Sequence, residues 1–313
     1  MRVLIVTNIY PSAAAPQRGA FVRDQVEALR DEGVDVELFA FEPGRRNYRP
    51  ATARLRALLK EQSFDLVHAH YGLVAWCALR AGAGPLVVTF HGTDVRHRLV
   101  GPLSRRVAKR AQLAAGVSRA LFAPENGRRG LPRLPAASAV LPCGPDLERF
   151  APAPRVEARR RLGLDPGGLY LLFPADPGRG VKRVDRAREL AAASGCELLT
   201  GGAIPAAEMP DWVNASNAVV VTSENEGFGL AALEALACDV PVLSTPVGVA
   251  PLALNGVDGC LVAPFQLDAW AAALLPSLDS ADRRVNGRPR ALLFSSRHTA
   301  RRVAAAYADV LAA

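Results

Sequence analysis

Apolar and polar positions along the chain alternate in blocks that predict short buried strands separated by amphipathic helices. In the first half the apolar runs that predict strands are 3–7, 34–39, 66–70, 86–90, 112–117 and 139–141. In the second half they are 169–173, 197–200, 218–222, 242–244 and 260–262. Their shortness and near-continuous apolar character are typical of strands buried on both faces.

Segments with helical spacing lie between these runs. Val22, Val26 and Leu29 fall on one face of a predicted helix over 21–30, which Gly33 ends. Further helices are predicted over 53–61, 184–194, 229–237, 267–275 and 297–312. Strands that alternate with helices predict an α/β protein, with parallel sheets covered by helices on both faces.

The chain length and a proline-rich join predict two domains. A chain of 313 residues suits two domains of about 150 residues each. The segment CGPDLERFAPAPR, residues 143–155, separates two halves of similar pattern. We predict an N-terminal domain over 1–150, a second domain over 151–296 and a closing helix over 297–313.

Targeting and cysteine patterns predict a cytoplasmic protein. No apolar run reaches the roughly 18 residues of a membrane span, and MRVLIVTNIY has the pattern of a first strand rather than a signal peptide. The five cysteines are scattered and odd in number. This pattern predicts reduced thiols and no structural zinc.

The net charge of +8 comes from arginine, because only three of the 38 basic residues are lysines. It indicates either a solvated surface that reflects compositional bias or a surface for anionic partners. The same two interpretations apply to RHRLVGPLSRRVAKR, residues 96–110, which faces either solvent or an anionic membrane surface or charged acceptor. Aromatic residues make up 6% of the chain and do not interleave with basic runs, so nucleic acid is not expected as a partner.

Candidate chemistry follows from the rule that ligands bind at the carboxyl ends of parallel strands. In the first half these ends carry FHGTD, with His91 and Asp94; in the second half they carry PADPGRGVKR, with Lys182, and SENEGFG, with Glu226. A helix that begins near Gly229 would present unpaired N–H groups to an anion or a sugar hydroxyl.

Two glutamates stand eight positions apart in ENEGFGLAALEALAC, at 226 and 234. Over two helical turns, a rise of about 12 Å, they would contact different parts of one extended ligand. The alternative is that Glu226 caps the helix and Glu234 pairs with an arginine.

Other polar residues also carry two interpretations. Lys182 is the only lysine of the second half, and it is either a phosphate-binding point charge or an accident of composition. His91 is either a ligand contact or a hydrogen-bonded histidine at a strand end. We expect His68 and His70 to point to opposite faces of their strand. A metal site is not expected, because no cysteine or carboxylate cluster accompanies them.

The run SENEGFGLAALEALACDVPVLSTPVG resembles the signature of family 4 glycosyltransferases, which are retaining enzymes of the GT-B fold that use nucleotide-diphosphate sugars. Other segments that resemble the family are YPSAAAPQRGAFVRDQVEALRDEGVDVELF, DLVHAHYG, VVTFHGTD, LPCGPDLERF, NGVDGCLVAPFQLDAWAAAL and FSSRHTARRVAAAYADVL. The resemblance runs nearly end to end. It implies two Rossmann-like domains with a cleft between them and a last helix that crosses back to the first domain.

The resemblance also implies roles for individual residues. Glu226 and the backbone N–H groups of Gly227, Phe228 and Gly229 would hold hydroxyls of the donor sugar, and Leu230 belongs to the same substrate-binding set. Glu234 would accept hydrogen bonds from the ribose. His91, beside Asp94, would meet the donor sugar from the opposite domain. Gly19 would let the first loop approach the diphosphate, and Lys182 would stabilise the diphosphate as it leaves.

Three departures from the family pattern affect these assignments. Asp176 stands near the position where an arginine is usual, so either Arg179 or Arg183 takes the second phosphate contact. The first loop has one glycine, Gly19, where a pair is common. Only about forty residues separate Lys182 from Ser223, which predicts a shortened second domain.

The sequence therefore predicts a retaining, metal-independent glycosyltransferase with no cofactor and a nucleotide-diphosphate sugar, such as a UDP- or GDP-sugar, as donor. The acceptor would be a carbohydrate, lipid-linked or small-molecule hydroxyl, in cell-envelope polysaccharide, glycolipid or small-glycoside synthesis. The enzyme would be cytoplasmic, with the inner face of the plasma membrane as a further location. The alternatives are a sugar-nucleotide epimerase of the same fold and a degenerate transferase that acts as a binding subunit.

Overall fold

A computed structural model of the chain describes residues 1–12, 15, 18–123, 129–132 and 137–313. The chain forms two compact units. Unit 1 consists of Met1–Cys143 together with Ser296–Ala313, and unit 2 consists of Gly144–Ser295. Phe150, where the sequence places the domain boundary, lies in the apolar core of unit 2.

Unit 1 contains a six-stranded parallel sheet. Its strands are β1 (Arg2–Thr7), β2 (Asp35–Ala40), β3 (Leu66–His70), β4 (Leu86–Phe90), β5 (Leu113–Gly116) and β6 (Ser138–Val140), in the order β2-β1-β3-β4-β5-β6. Its first five helices are α1 (Ala20–Asp31), α2 (Tyr48–Glu61), α3 (Gly72–Ala81), α4 (Thr93–Arg96) and α5 (Val100–Ala108).

Helix α3 was not predicted, and α2 begins five residues before its predicted start. Helix α3 is apolar on nearly every side and lacks the periodicity that identifies an amphipathic helix. Pro50 lies in the first turn of α2, where a proline is tolerated because its missing N–H has no helical partner.

Unit 2 contains a five-stranded parallel sheet in the order β11-β10-β9-β7-β8. Its strands are β7 (Tyr170–Phe173), β8 (Glu197–Thr200), β9 (Ala218–Val221), β10 (Val242–Ser244) and β11 (Leu261–Val262). Its helices are α6 (Arg155–Leu162), α7 (Val184–Ala193), α8 (Met209–Ala215), α9 (Leu230–Ala237), α10 (Ala250–Ala253), α11 (Leu267–Leu278) and α12 (Arg288–Leu292).

The last helix, α13 (Ser296–Ala312), packs on unit 1, as the sequence predicts. Ala300, Val303 and Tyr307 are fully buried in one apolar cluster with Val22 and Leu29 of α1. The Tyr307 hydroxyl also lies 2.6 Å from Nδ1 of His68 in the centre of the sheet. The helix therefore belongs to the core of unit 1 although it is the last segment of the chain.

Each sheet reverses its strand order once. In unit 1 the chain passes from β1 to β2 on one side and returns to β3 on the other; in unit 2 it passes from β7 to β8 and returns to β9. Loops that leave the carboxyl ends of the two central strands diverge at such a point, and ligands of open α/β sheets bind there. The predicted site residues Lys182 and Glu226 follow β7 and β9.

Two features are absent from the described residues. No helix among them is long and apolar enough to cross a membrane. Within the same ranges, no three or more His, Cys, Asp and Glu side chains form a group that could hold a metal ion. All five cysteines are free thiols.

Candidate active site

In unit 2 the loops after β7 and β9 are joined by hydrogen bonds of their own. The Thr222 hydroxyl donates to the carbonyl oxygens of Lys182 and Arg183, at 3.0 and 2.8 Å. The backbone N–H of Glu224 donates to the carbonyl of Val181 at 2.9 Å. These contacts fix the two loops side by side, so the positions of their functional side chains do not depend on side-chain contacts alone.

Lys182 and Glu226 form the central contact of this site. The Lys182 ammonium lies 2.6 Å from each carboxylate oxygen of Glu226, and the Ser223 hydroxyl donates to Oε1 at 2.7 Å. Only 13% of the lysine side chain and 12% of the glutamate side chain are exposed. A cation and a carboxylate that accepts a hydrogen bond from a hydroxyl therefore lie next to each other at the carboxyl edge of the sheet.

The expected helical relation between the two glutamates is wrong. Helix α9 begins at Leu230 with Gly229 as its N-cap, so Glu226 lies in the preceding loop and does not cap the helix. The lysine takes its carboxylate instead. Glu234 lies on α9 and is half-buried, so the two glutamates belong to different elements and are not related by the spacing of one helix.

The glycine-rich turn before α9 is locked by close packing. Gly229 has φ +90°, a left-handed conformation that favours glycine. A Cβ on Gly248 would lie 2.3 Å from the Phe228 carbonyl oxygen, which accepts a hydrogen bond from the Val249 N–H at 2.6 Å. The Phe228 ring packs toward Phe294, so the backbone of residues 227–229, rather than the Phe228 side chain, is what this turn offers to a ligand.

The two candidate arginines differ in their surroundings. The Arg183 guanidinium is bound to carboxylates of Asp185 and Glu224, each at 2.6 Å. These partners raise the pKa of Arg183. The Arg179 side chain is exposed and makes no hydrogen bond or ion pair with another residue in the described ranges. Arg179 is thus the arginine that remains available to an anion.

In unit 1, His91 follows β4 and is half-buried among other rings. Tyr71 stacks on it with ring centroids 4.6 Å apart, and Phe21 lies 5.0 Å away. Its Nε2 is 3.0 Å from Nδ1 of His70. Burial lowers the pKa of His91 well below its usual value, and the nearby His70 adds to the effect. His91 is therefore a neutral imidazole at neutral pH.

The surroundings of His70 determine which nitrogen of His91 carries the proton. Within the described part of the chain, Nε2 of His70 is buried without a hydrogen-bond partner. The His70 proton then belongs on Nδ1, where His91 Nε2 accepts it. The proton of His91 is consequently on Nδ1, which makes this atom a hydrogen-bond donor.

The expectation that His68 and His70 point to opposite faces is wrong. Their ring centroids are 4.5 Å apart, because residues two apart on a strand share a face. His68 is fully buried, with Nδ1 at 2.6 Å from the Tyr307 hydroxyl and Nε2 at 2.8 Å from Oγ1 of Thr89. His68 thus serves packing, while His70 contacts the candidate site residue His91.

Asp94 is turned inward rather than toward a ligand. It is 5% exposed, and its carboxylate accepts from the backbone N–H groups of His91, Gly92 and Gly72 at 3.0–3.1 Å. Burial raises the pKa of Asp94 to about 6, although these hydrogen bonds oppose the increase. The geometry gives Asp94 the role of holding the loop that presents His91.

Gly19 is the N-cap of α1, with φ +70°. A Cβ at this position would lie 2.2 Å from the Ile9 carbonyl oxygen. The glycine is therefore required by the packing of its own loop, whatever the loop binds. Ala13, Ala14, Pro16 and Gln17 of the same predicted loop lie outside the described residues.

Sequence reasoning missed several contributors to the site. Ser223 holds Glu226, and the Thr245 hydroxyl donates to the Ser223 carbonyl at 2.6 Å. In unit 1 it missed His70. Ser223 stands three residues before Glu226 and His70 lies in a His-x-His pair, but neither spacing indicates which neighbouring strand supplies the partner.

Comparisons with known proteins find one family match in each of the two units. The family described as "Glycosyl transferases group 1" matches residues 178–280, and "Glycosyltransferase Family 4" matches residues 39–149. A D-inositol 3-phosphate glycosyltransferase from Actinosynnema mirum is 32% identical, over 84% of this chain and 75% of the relative.

Two solved structures share the fold. A sucrose-phosphate synthase from Thermosynechococcus elongatus superposes with a TM-score of 0.75 at 20% identity, covering 99% of each chain. Anabaena HepE in complex with UDP-glucose has a TM-score of 0.68 at 18% identity, covering 98% of this chain and 99% of that one. The two parallel sheets and this likeness show the GT-B fold.

The chain belongs to the family 4 glycosyltransferases, as the resemblance in its motifs indicated. It is therefore a glycosyltransferase, and this class accounts for the polar groups at the carboxyl edges of both sheets.

Proposed function

We propose that the enzyme transfers a sugar from a nucleotide-diphosphate sugar to an acceptor hydroxyl with retention of anomeric configuration. The contact between Lys182 and Glu226 carries this proposal. In a nucleotide sugar the diphosphate is bonded to the sugar ring, so a phosphate-binding cation and a hydroxyl-binding carboxylate must lie within a few ångströms of each other. The 2.6 Å separation and the partial burial of this pair meet that requirement.

The proposed chemistry places charge stabilisation on Lys182. The bond between the anomeric carbon and the diphosphate oxygen breaks, and the electron pair stays on the diphosphate. Lys182, with Arg179 as the second cation, stabilises this charge without a metal ion. The acceptor hydroxyl attacks the face that the diphosphate leaves and gives its proton to a phosphate oxygen. Positioning of the two substrates supplies the rest of the acceleration.

The remaining assignments extend the same proposal. Glu226 and the backbone N–H groups of residues 227–229 bind sugar hydroxyls, and Glu234 binds the ribose. His91 donates from Nδ1 to a sugar hydroxyl. Asp94 acts through His91 as a positioning residue, because its carboxylate is consumed by backbone N–H groups.

For the donor we propose a UDP-sugar first, since HepE of the same fold was solved with UDP-glucose. For the acceptor we propose a small phosphorylated polyol, since the Actinosynnema relative bears the name D-inositol 3-phosphate glycosyltransferase. Family membership favours transfer over the alternative of a sugar-nucleotide epimerase.

A thermal-shift screen with UDP-, GDP- and ADP-sugars tests the donor, because a ligand that binds only the folded state raises the melting temperature. Turnover with the stabilising donor and inositol phosphate then tests transfer, and the configuration of the product tests retention. We expect Lys182→Ala and Glu234→Ala each to lower kcat/KM at least about ten-fold, which is about 1.4 kcal/mol of transition-state stabilisation.

Lys60→Ala provides the matched control, because Lys60 is an exposed lysine in unit 1. It should leave kcat/KM unchanged. Parent-like turnover by both Lys182→Ala and Glu234→Ala would show that the site is misplaced. Conversion of the donor to an epimer without transfer would show that the reaction is misassigned.

A further inference from the structure

One segment of unit 1 carries many basic residues and no acidic one. Residues 95–123 contain seven arginines and lysines and no acidic residue, whereas the whole chain has a net charge of +8. The rest of the chain therefore carries only +1. Residues 283–308 also contain seven arginines and no acidic residue, but there Arg284 and Arg288 donate to backbone carbonyls and Arg301 pairs with Glu32. The segment 95–123 is therefore distinguished by the exposure and partners of its cations and not by their number.

Helix α5 and its flanking residues present this charge on an outward face. Gly101, Ser104 and Val107 form the buried side of α5, and the Ser104 hydroxyl donates to the Asp94 carbonyl at 2.8 Å. Positions 99, 106 and 110 follow the three-to-four-residue spacing of the opposite side, and all three are exposed. We define the basic face as Arg98, Leu99, Arg106, Lys109 and Arg110.

The cations of the basic face lack carboxylate partners. In the described ranges, no Asp or Glu lies within ion-pair distance of Arg98, Arg106, Lys109 or Arg110. Arg105, on the same helix, lies near Arg129, and burial together with this like charge lowers its pKa. In unit 2, Arg161 and the half-buried Arg183 are paired with carboxylates, whereas Arg179 is exposed and makes no ion pair in the described ranges. Among the described residues, the basic face thus has positive charge that no carboxylate compensates.

A large apolar side chain stands within the basic face. Leu99 is 74% exposed, the most exposed large hydrophobic residue in the described part of the chain. A soluble polyanion would gain little from an exposed leucine among cations. An anionic bilayer interacts with both, since its headgroups attract the cations and its interface accepts the apolar side chain.

We propose that the basic face of unit 1 docks the enzyme on an anionic lipid surface. The docking is peripheral: the cations supply attraction to the headgroups, and Leu99 enters the interface. The association should be reversible, because it depends on weak signals. It should also weaken as salt is raised, because the attraction to the headgroups is electrostatic. It is independent of the donor and acceptor assignments above.

Co-sedimentation of the whole chain with vesicles tests the proposal. We expect binding to vesicles of phosphatidylcholine with about 30% phosphatidylglycerol, weaker binding as salt is raised, and no binding to phosphatidylcholine alone. Each basic residue near such a surface contributes roughly a five-fold increase in partitioning. The double variant Arg106→Glu/Arg110→Glu should therefore lower partitioning at least about 25-fold.

Two matched controls separate the basic face from general effects. Arg160→Glu/Arg188→Glu makes the same charge change on exposed helical arginines of unit 2. It should keep partitioning within about two-fold of the parent value, because only the net charge of the chain changes. Leu99→Ser should weaken binding at constant charge, whereas Leu275→Ser, at a position that is 54% exposed on α11, should not.

Three results would overturn the proposal. The first is absence of binding to anionic vesicles by the parent chain. The second is an equal loss in both charge-reversal variants, which would indicate attraction by net charge alone. The third is undiminished vesicle binding by Leu99→Ser together with equally tight binding of soluble polyphosphate, which would identify the basic face as a polyanion site. Unchanged circular dichroism of each variant confirms that it is folded.

Discussion

Replacement of Tyr307 by phenylalanine tests how the last helix is held on unit 1. The side chains of Tyr307 and His68 are fully buried, and the phenol oxygen lies 2.6 Å from His68 Nδ1. Burial raises the pKa of Tyr307, so the phenol is neutral and donates its proton. His68 then carries its own proton on Nε2 and donates to Thr89.

The expected loss follows from the state of His68 after the substitution. Tyr307→Phe keeps the ring in its apolar cluster but leaves Nδ1 of His68 buried without a donor. An unsatisfied buried polar atom costs about 1–3 kcal/mol, and we expect the free energy of unfolding of unit 1 to fall by that amount. Replacing both partners by apolar residues, in Tyr307→Phe/His68→Leu, should recover part of the loss, because no acceptor then remains unpaired at this contact.

Urea unfolding followed by far-ultraviolet circular dichroism measures the loss, and hydrogen exchange of peptides from α13 locates it. Tyr48→Phe is the control, because the half-exposed Tyr48 hydroxyl accepts from Asn8 at 2.9 Å and water can replace it. That variant should lose less than about 1 kcal/mol. If Tyr307→Phe unfolds at the same urea concentration as the parent and α13 exchanges no faster, the buried hydrogen bond does not hold the helix.

Three further outcomes are expected. Gly19→Ala should slow turnover and lower the melting temperature, because the new methyl group would lie 2.2 Å from the Ile9 carbonyl; a parent-like melting curve would contradict this. His70→Leu should remove the Nδ1-protonated state of His91 and raise the KM for the sugar donor. His70→Asn keeps a hydrogen-bond donor near the same place, so it should restore the Nδ1 proton and the parent KM. ¹⁵N imidazole spectra measure the proton position, and kinetics measure the KM. Lowering the pH should destabilise unit 1. Burial holds the pKa values of His68, His70 and His91 below their unfolded value of about 6.5, and the pKa of His70 is lowered to about 3. Below pH 6.5 the unfolded state therefore binds more protons at these histidines than the folded state. Asp94, whose folded pKa is raised to about 6, opposes this effect between about pH 4 and 6, but it is one group against three histidines, so the free energy of unfolding should still fall as the pH is lowered. A flat urea midpoint between pH 7 and pH 5 would contradict it.

The strands and the family were predictable because both leave local marks in the sequence. Buried parallel strands are short apolar runs, and all eleven were found at or near their bounds. Lys182 stood out because it is the only lysine of its half, and the spacing of the glycines around Phe228 marked the turn before α9. The strand runs and the glycine turn each lie within about ten residues, a distance over which sequence patterns determine local structure.

The parts of the candidate site that the sequence did not predict depend on contacts between distant segments. The helix start was predicted near Gly229, and α9 begins at Leu230 with Gly229 in the left-handed region as its N-cap, so the two-turn helical spacing does not apply to Glu226, which lies in the loop before it. Its carboxylate is then free of the helix and pairs with a lysine 44 positions away. The role of His70 likewise requires β3 and β4 to be neighbours. No local spacing carries that information.

The environments of the candidate residues explain why one ion pair can serve two parts of a donor. Without a ligand, Lys182 and Glu226 neutralise each other in a partly buried position, which avoids an unpaired charge. In the reaction that we propose, a diphosphate competes with Glu226 for the ammonium, and a sugar hydroxyl then replaces the ammonium at the carboxylate. The exchange needs little rearrangement, because Ser223 continues to hold Oε1 of Glu226 and Thr222 continues to hold the backbone of Lys182. The two residues are therefore coupled, and we expect removal of either one to disturb the contact that the other makes with the proposed donor.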